Sequence, residues 1–244
     1  MPDAGPLILR YFDCRGRAQA LRDVLIDARV DFTDDRLAVD PSWYALKGDP
    51  AIAGPFGSLP LLCSGERLIA QALAIASYLA RRLGQYDGRS AEDIARLEML
   101  TSGAYLELTQ PAAELYWSWG APADEAGWPG WFAGHVKRLH SRLAGFDALS
   151  PEAGRFLGGD APAVADFFLF EAITEWRLIL GPSLLGALDQ RPRLSALLET
   201  LRAHARDRGC LDPGRRPIPF TGNPREAEAL VRLRAEADGL RLEA

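Results

Sequence analysis

The sequence predicts an α/β domain followed by an all-helical domain and a tail. Short strand and helix patterns alternate in the first third of the chain, and strand patterns nearly vanish after residue 88. The segment 84–88, Gly-Gln-Tyr-Asp-Gly, is polar and rich in glycine, as is typical of a linker. The 244 residues suffice for two small domains. We therefore predict domains at 5–84 and 89–212 and a tail at 213–244.

The first domain has the pattern of a βαβ unit followed by a hairpin and a closing helix. Apolar residues at helical spacing indicate helices that begin near Arg15 and near Leu73. A Ser-Gly-Glu turn at 64–66 separates two short apolar runs, which favours an antiparallel hairpin. The predicted strands are 7–12, 30–37, 60–63 and 67–69.

The second domain carries helical patterns only. A long one covers 90–120, and we expect it to bend at Pro111, which lacks a backbone donor. The tail contains several prolines and then a charged, weakly helical segment at 225–240, which predicts either an extra helix or partial disorder. The other predicted helices are 131–149, 164–180 and 193–206, and the tail prolines are Pro213, Pro217, Pro219 and Pro224.

Composition and charge exclude several classes of function. The net charge is −5 and the 28 basic residues are scattered, so we expect neither nucleic acid nor a membrane as partner. No long apolar stretch and no leader pattern is seen, and we expect a cytoplasmic protein. The cysteines are odd in number and widely spaced, which favours a reducing compartment. The spacing of the histidines does not suggest a set of metal ligands. These residues are Cys14, Cys63, Cys210, His135, His140 and His204.

Four short motifs in order carry a resemblance to a known family. They are Tyr11-Phe12-x-x-Arg15-Gly16-Arg17, Trp43-x-x-x-Lys47, Leu59-Pro60, and Gln71 eleven residues after that proline. This pattern resembles the mu, pi and sigma classes of cytosolic glutathione transferase, over about residues 6 to 210. The resemblance implies a thioredoxin-like N-terminal domain, an all-helical C-terminal domain, and a detoxification enzyme of the tyrosine type that uses glutathione as co-substrate and no metal.

The chemistry of such an enzyme explains why a tyrosine is needed. A thiol with a pKa near 8.5 is only about 3% ionised at pH 7, and the thiolate is the nucleophile. A pKa lower by two units leaves roughly three quarters ionised, for about 2.7 kcal/mol of differential stabilisation. By resemblance, Tyr11 at the end of the first strand donates its hydroxyl to the sulfur and stays protonated itself.

The resemblance also assigns the other contacts of glutathione. Gln71 and Ala72 would hold the γ-glutamyl end at the start of a helix, Leu59 would pair its backbone with the cysteinyl backbone, and Arg17 would order the loop around the site. Pro60 would be a cis-proline. The residues implied at the glycyl end are Trp43, Lys47 and Ser58.

Three departures from the family pattern bear on activity. Ala72 stands where relatives commonly have serine, and the missing hydroxyl predicts weaker glutathione binding by roughly 1 kcal/mol. Asp13 would raise the pKa of the thiol if it pointed inward. Ala163 replaces the Ser/Thr of a helix-capping box, which costs about 1 kcal/mol unless Asp160 substitutes.

A small hydrophobic electrophile would lie against the helical domain. Aromatic residues at and after the long helix, Tyr105, Tyr116 and Trp117 with Trp119, suit an apolar cleft, and Tyr116 falls where related enzymes carry a tyrosine that acts as an acid. Phe56 matches an aromatic that inserts into a partner subunit, which implies a homodimer.

Three alternatives stay open from the sequence. Cys14 lies close to the first helix and could make the protein a glutathione-dependent thiol reductase. The departures named above also fit a non-catalytic ligand carrier or interaction module with the same fold. A third alternative keeps the enzyme but changes the reaction to isomerisation or ether cleavage.

Overall fold

The computed structural model describes residues 6–215 and 226–239. Its first part is a four-stranded mixed sheet in the order β2-β1-β3-β4. The two pairings at β3 are antiparallel, and β1 pairs with β2 in parallel, with Leu7 opposite Phe32 and Tyr11 opposite Arg36. The strands are β1 (Leu7–Phe12), β2 (Phe32–Leu37), β3 (Leu61–Ser64) and β4 (Arg67–Ala70).

Helices surround the sheet and make up the second part of the chain. In the described residues the first part contains α1 (Gln19–Asp27), α2 (Trp43–Leu46), α3 (Pro50–Ala53) and α4 (Ala72–Leu83). The second part contains α5 (Ala91–Gly103), α6 (Gln110–Trp117), α7 (Trp128–Leu149), α8 (Val164–Leu180), α9 (Pro182–Asp189), α10 (Pro192–Asp207) and α11 (Glu226–Gly239). None of the helices in the described ranges has the length and apolar character that crossing a membrane requires.

Most predicted elements of the first domain are confirmed. Side chains alternate along β1, where Leu7, Leu9 and Tyr11 point into apolar clusters, as the period of a half-buried strand requires. The second strand begins at Phe32 and not at residue 30, because the N–H of Val30 donates to the carbonyl of Leu25 and ends α1. The short helices α2 and α3 were not predicted from the sequence.

The long helical pattern at 90–120 is interrupted. α5 begins after Ser90, whose hydroxyl accepts the N–H of Asp93, and continues to Gly103. A π-helical segment follows at Ala104–Thr109, and α6 then begins with Pro111 in its first turn. The departure from α-helix therefore lies immediately before the expected bend at Pro111.

α8 is the apolar centre of the helical part, and Ala163 gives its N-terminus no side-chain cap, as the sequence predicted. Asp166 accepts the backbone N–H of Leu157 at 2.9 Å and that of Ala163 at 2.8 Å, so it ties the preceding loop to the helix. Asp160 does not substitute as the cap, because its side chain is exposed and pairs with Arg155 at 3.0 Å.

Polar contacts join the two parts of the chain. Arg15 donates Nε and Nη2 to the carboxylate of Glu171 at 2.9 and 3.0 Å, and both side chains are buried. Asp27 on α1 accepts the hydroxyl of Tyr86 and contacts Nε2 of His204, each at 2.6 Å. The exact limits 5–84 and 89–212 stay a prediction, and residue 5 lies outside the described residues.

The tail is described only in part. A helix at Glu226–Gly239 agrees with the extra-helix alternative for the segment 225–240. Pro217, Pro219 and Pro224 lie outside the described residues, as do residues 225 and 240.

Candidate active site

Tyr11 lies at the end of β1 and at the base of a cleft between the sheet and the helices. Its side chain is only 7% exposed and packs in a small apolar cluster with Leu59 and Leu61. The backbone N–H of Arg17 donates to the Tyr11 hydroxyl oxygen at 3.1 Å. Because this contact uses a lone pair of the oxygen, the phenolic proton can be donated to a ligand.

Gly16 allows this arrangement. Its φ is +36°, and a Cβ there would lie 2.6 Å from the Tyr11 hydroxyl oxygen. Any side chain would therefore push the hydroxyl away from the Arg17 N–H. The Arg15-Gly16-Arg17 motif thus fixes the position of the phenol as well as the start of the helix.

Burial keeps the phenol protonated. The pKa of Tyr11 is raised well above its usual value, chiefly by loss of solvation and next by the neighbouring Cys14 thiol. The N–H of Arg17 acts in the opposite direction but is outweighed. Tyr11 is therefore a neutral hydrogen-bond donor throughout the physiological range.

The cleft has a volume of about 250 Å³ and two unlike walls. One wall comes from the sheet domain and holds Tyr11, Phe12, Gly16, Arg17, Trp43, Gly57, Ser58 and Leu59. The other comes from the helices and holds Thr109, Gln110, Ala113, Trp117, Trp119 and Glu175. A junction between two domains is a common position for a small-molecule site.

The structure brings some of the residues predicted to hold glutathione into this cleft and leaves others outside its lining. Arg17, Trp43, Ser58 and Leu59 line the cleft. The ring of Trp43 packs edge-on against Phe12, with 5.0 Å between centroids. The role of each residue stays a prediction.

The remaining predicted glutathione residues lie near the cleft or beyond it. The Leu59–Pro60 peptide bond is cis, as the sequence resemblance implied. Gln71 precedes α4 with a φ of +76°, which is uncommon for a residue with a side chain. Ala72 is buried at the first position of α4. The ammonium of Lys47 lies 5.8 Å from the ring of Tyr44 and is not part of the lining.

The aromatic residues predicted for the electrophile are divided between two places. Trp117 lines the cleft and stacks on Trp119, with centroids 6.1 Å apart. Tyr105 is buried, packs edge-on against Phe168 and does not line the cleft, and burial raises its pKa. Tyr116 is 1% exposed and faces a different cavity, shared with Trp128 and α11.

The structure also shows the positions of Asp13 and Cys14, which bear on the activity of the site and on the reductase alternative. Asp13 points outward, where its carboxylate accepts from Arg36 at 3.0 Å and its side chain is 59% exposed. It is therefore held away from the cleft by a cation. Cys14 is fully buried and does not line the cleft, so its thiol is poorly placed for exchange with a bound disulfide.

The sequence did not single out Gln110 or Glu175, although both line the cleft. Gln110 accepts from the Arg17 guanidinium at 3.4 Å. For Glu175 a signal was present, since Glu171 and Glu175 are two carboxylates one turn apart in the middle of a mostly apolar helix.

No protein-family model matches the chain. Glutathione S-transferase P of Homo sapiens is 27% identical over 225 residues, which cover 91% of this chain and 99% of that protein. Glutathione S-transferase P of Caenorhabditis elegans is 29% identical over 229 residues, 90% of this chain and 99% of that protein.

Solved structures agree with these relatives. The pi-class glutathione S-transferase of Onchocerca volvulus is 27% identical, with a TM-score of 0.69 over 89% of this chain and 99% of that chain. The glutathione S-transferase of Ascaris lumbricoides, 23% identical with a TM-score of 0.59 over 81% of this chain and 92% of that chain, shares the fold.

The fold class predicted from the sequence, a thioredoxin-like domain followed by helices, is confirmed by these structures. The resemblance to the cytosolic glutathione transferases is confirmed as well. Within that group the relatives and the first of the two structures are of the pi type, one of the three classes that the motifs had indicated. Among the described residues, no group of three or more His, Cys, Asp or Glu side chains is placed to hold a metal ion.

Proposed function

We propose that this protein is a glutathione transferase that activates the thiol of glutathione with Tyr11. The observation that carries the proposal is the buried Tyr11 hydroxyl, held by the Arg17 N–H at the base of a cleft between two domains. The names of the relatives support the same activity over nearly the whole chain.

In this mechanism the thiol of glutathione lies against the Tyr11 hydroxyl and loses its proton to solvent. The phenol donates a hydrogen bond to the thiolate without adding a charge, so it stabilises the anion over the neutral thiol. A lowering of the thiol pKa by two units requires about 2.7 kcal/mol, which is within reach of a hydrogen bond to a charged group in a partly desolvated site. The thiolate attacks an electrophilic carbon, a carbon–sulfur bond forms, and the leaving group departs with its electron pair.

Glutathione would lie along the wall formed by the sheet domain. We assign Arg17, Trp43, Ser58 and the backbone of Leu59 as direct contacts, because these residues line the cleft beside Tyr11. Gln71, Ala72, Pro60 and Lys47 would complete the site at its edges. The absent hydroxyl at Ala72 would weaken binding by roughly 1 kcal/mol.

The electrophile would lie along the helical wall, where Trp117 offers an apolar face. Tyr105 would belong to the same site, although its buried side chain does not line the cleft. Tyr116 is left out of this site, because its side chain faces the cavity beneath α11.

The proposal includes a homodimer and a cytoplasmic location. Phe56 is 66% exposed in the loop before β3, which suits an aromatic that inserts into a second subunit. The odd number and wide spacing of the cysteines, Cys14, Cys63 and Cys210, support a reducing compartment.

An ultraviolet titration of bound glutathione tests the proposal. The thiolate of the complex is followed against pH in the parent, in Tyr11→Phe, and in Tyr44→Phe as a matched control whose ring is exposed outside the cleft. We expect the parent and Tyr44→Phe to show a bound-thiol pKa about two units below that of free glutathione, and Tyr11→Phe to lose that shift.

The same titration separates the alternatives. If glutathione binds but its thiol titrates as in water, the transferase proposal fails and a ligand carrier is favoured. If mass spectrometry finds glutathione attached to Cys14 as a mixed disulfide, the reductase alternative is favoured despite the burial of that thiol.

A further inference from the structure

The π-helical segment Ala104–Thr109 joins α5 to α6 beside the cleft. In a π-helix each backbone hydrogen bond spans one residue more than in an α-helix, and the N–H of Gln110 accordingly donates to the carbonyl of Tyr105. Four residues of the helical wall come from the end of this segment and from α6, and they are Thr109, Gln110, Ala113 and Trp117. The side chains that this wall presents therefore depend on the geometry of the π segment.

Helix α8 holds the π segment from outside. The indole N–H of Trp176 donates to the carbonyl oxygen of Leu108 at 3.0 Å, and both residues are 0% exposed. Tyr105 packs edge-on against Phe168 of the same helix, with 6.2 Å between ring centroids. Pro111 has no backbone N–H to donate to the preceding turn, so Trp176 supplies a donor from another helix where the chain itself lacks one.

The hydrogen bond from Trp176 favours one geometry of the segment over others. The indole has a single donor, and burying it without an acceptor is costly, so Trp176 stabilises the conformation that directs the Leu108 carbonyl toward α8. A shift of one residue in the helical hydrogen-bond pattern turns the following side chains by about 100° around the axis, because a turn contains 3.6 residues. Such a turn would also separate Gln110 from the Arg17 guanidinium, which it contacts at 3.4 Å.

We propose that Trp176 is a positioning residue for the second substrate, because its indole N–H holds the π segment in the register that presents α6 to the cleft. This inference rests on the proposed transferase function for its meaning. Trp176 does not line the cleft, so it acts through the backbone of another helix. The wall assigned to glutathione belongs to the sheet domain, and binding and ionisation of glutathione are therefore independent of Trp176.

Two replacements of Trp176 separate the hydrogen bond from the packing of the ring. Trp176→Phe removes the N–H together with part of the ring. Site-specific incorporation of 3-benzothienylalanine at position 176 keeps the shape of tryptophan and puts a sulfur atom in place of the N–H. Thr101→Val is the matched control, because it removes a buried hydrogen bond, from the Thr101 hydroxyl to the Leu97 carbonyl at 2.8 Å, in the regular part of the same long helix.

The reaction of glutathione with 1-chloro-2,4-dinitrobenzene distinguishes effects on the two walls. The thiolate forms a carbon–sulfur bond at the ring, and chloride leaves with the electrons of the carbon–chlorine bond. We expect both replacements of Trp176 to raise the KM for the chloride about tenfold, the size expected for one misplaced contact. The KM for glutathione should change by less than about twofold, and the pKa of the bound thiol should stay that of the parent.

A merely structural role predicts a different result in the same assay. Loss of stability alone would reduce the fraction of folded protein, so kcat would fall while both KM values stayed unchanged. That result refutes the proposal, and so does an equal rise in the two KM values. Thr101→Val should leave both KM values unchanged, and a tenfold rise in the KM for the chloride in this control would also refute the proposal.

Two measurements without turnover keep the two proposals apart. Hydrogen exchange, followed by mass spectrometry of peptides, should be faster over residues 104–117 in both replacements of Trp176 and unchanged in Thr101→Val. Binding of 2,4-dinitrotoluene, which has the dinitrophenyl ring but no leaving group, is measured by equilibrium dialysis. If the parent ionises no glutathione but both replacements bind this ligand about tenfold more weakly, the transferase proposal fails and the positioning role stands. If hydrogen exchange and ligand binding are the same in the parent and in both replacements, the role of Trp176 is refuted.

Discussion

The substitution Gly16→Ala should disable the proposed site without removing any group that would contact substrate. An added Cβ would lie 2.6 Å from the Tyr11 hydroxyl oxygen and 3.1 and 3.2 Å from two of its ring carbons. Ordinary contact begins near 3.5 Å, so the hydroxyl must retreat by about 0.9 Å. That retreat stretches the 3.1 Å hydrogen bond from the Arg17 N–H beyond bonding distance. A misplacement of this size costs about 100-fold in rate, so kcat/KM for a neutral aryl chloride should fall by about that factor.

The control must separate backbone strain from displacement of the phenol. Gly84 also has a positive φ, +68°, but an added Cβ there meets no atom within 4 Å. Both substitutions should lower the free energy of unfolding by about 1–2 kcal/mol, measured with urea, and only Gly16→Ala should raise the pKa of bound glutathione. The reasoning is refuted if Gly16→Ala keeps the parent's activity and thiol pKa, or if Gly84→Ala loses as much activity.

Three further predictions concern stability, pH and assembly. Asp166→Ala leaves the buried N–H groups of Leu157 and Ala163 without their acceptor, so the free energy of unfolding in urea should fall by about 3 kcal/mol or more. Asp160→Ala, at an exposed site, should lower it by less than about 0.5 kcal/mol. Equal losses in the two variants would contradict this reasoning. Because burial raises the pKa of Tyr11, its phenol stays protonated to higher pH. We therefore expect kcat/KM to rise as the bound thiol ionises and then to stay constant up to about pH 9.5. A fall in kcat/KM above about pH 8.5 would show that the phenol ionises and would contradict this. Phe56→Ala should weaken the free energy of dimerisation by about 2 kcal/mol, as measured by sedimentation equilibrium. Leu185→Ala, at an exposed site on α9, should leave it unchanged. If the parent protein sediments as a monomer, the proposed dimer is wrong.

The sequence predicted the elements whose signals are local. The apolar run at Leu7–Phe12 and the hairpin around Gly65 are bounded by turn residues, and both are confirmed. The helix predicted at 164–180 has the bounds seen in α8, because its apolar run ends at Gly181-Pro182. The same two residues explain why α9 was not predicted. A proline is tolerated in the first turn of a helix, but in the sequence Gly-Pro indicates the end of a helix.

The lining of the cleft could be predicted where short motifs contribute to it, at Tyr11 and Arg17 and also at Trp43 and Leu59. Tyr11 and the Arg17 N–H that holds it are six residues apart, so the motif contains their whole geometry. Glu175 reaches the same cleft from a distant helix, and no local pattern places it there. Because burying a carboxylate is costly, a glutamate inside a mostly apolar helix indicates a specific partner or function. The packing of the helices, which the sequence does not reveal, decides which group or cavity that carboxylate faces.

The orientation of Tyr116 illustrates how an irregular segment changes the phase of the helix that follows it. Tyr105 and Tyr116 are eleven residues apart, which is close to three turns of an unbroken α-helix and would put both on one face. The π-helical segment Ala104–Thr109 shifts the phase of everything after it, because each of its hydrogen bonds spans one residue more. Gln110, Ala113 and Trp117 then line the cleft, whereas Tyr116, together with another part of Trp117, lines the cavity beside α11. The residues of α6 that line the cleft therefore depend on the position of the π segment, which apolar periodicity does not reveal.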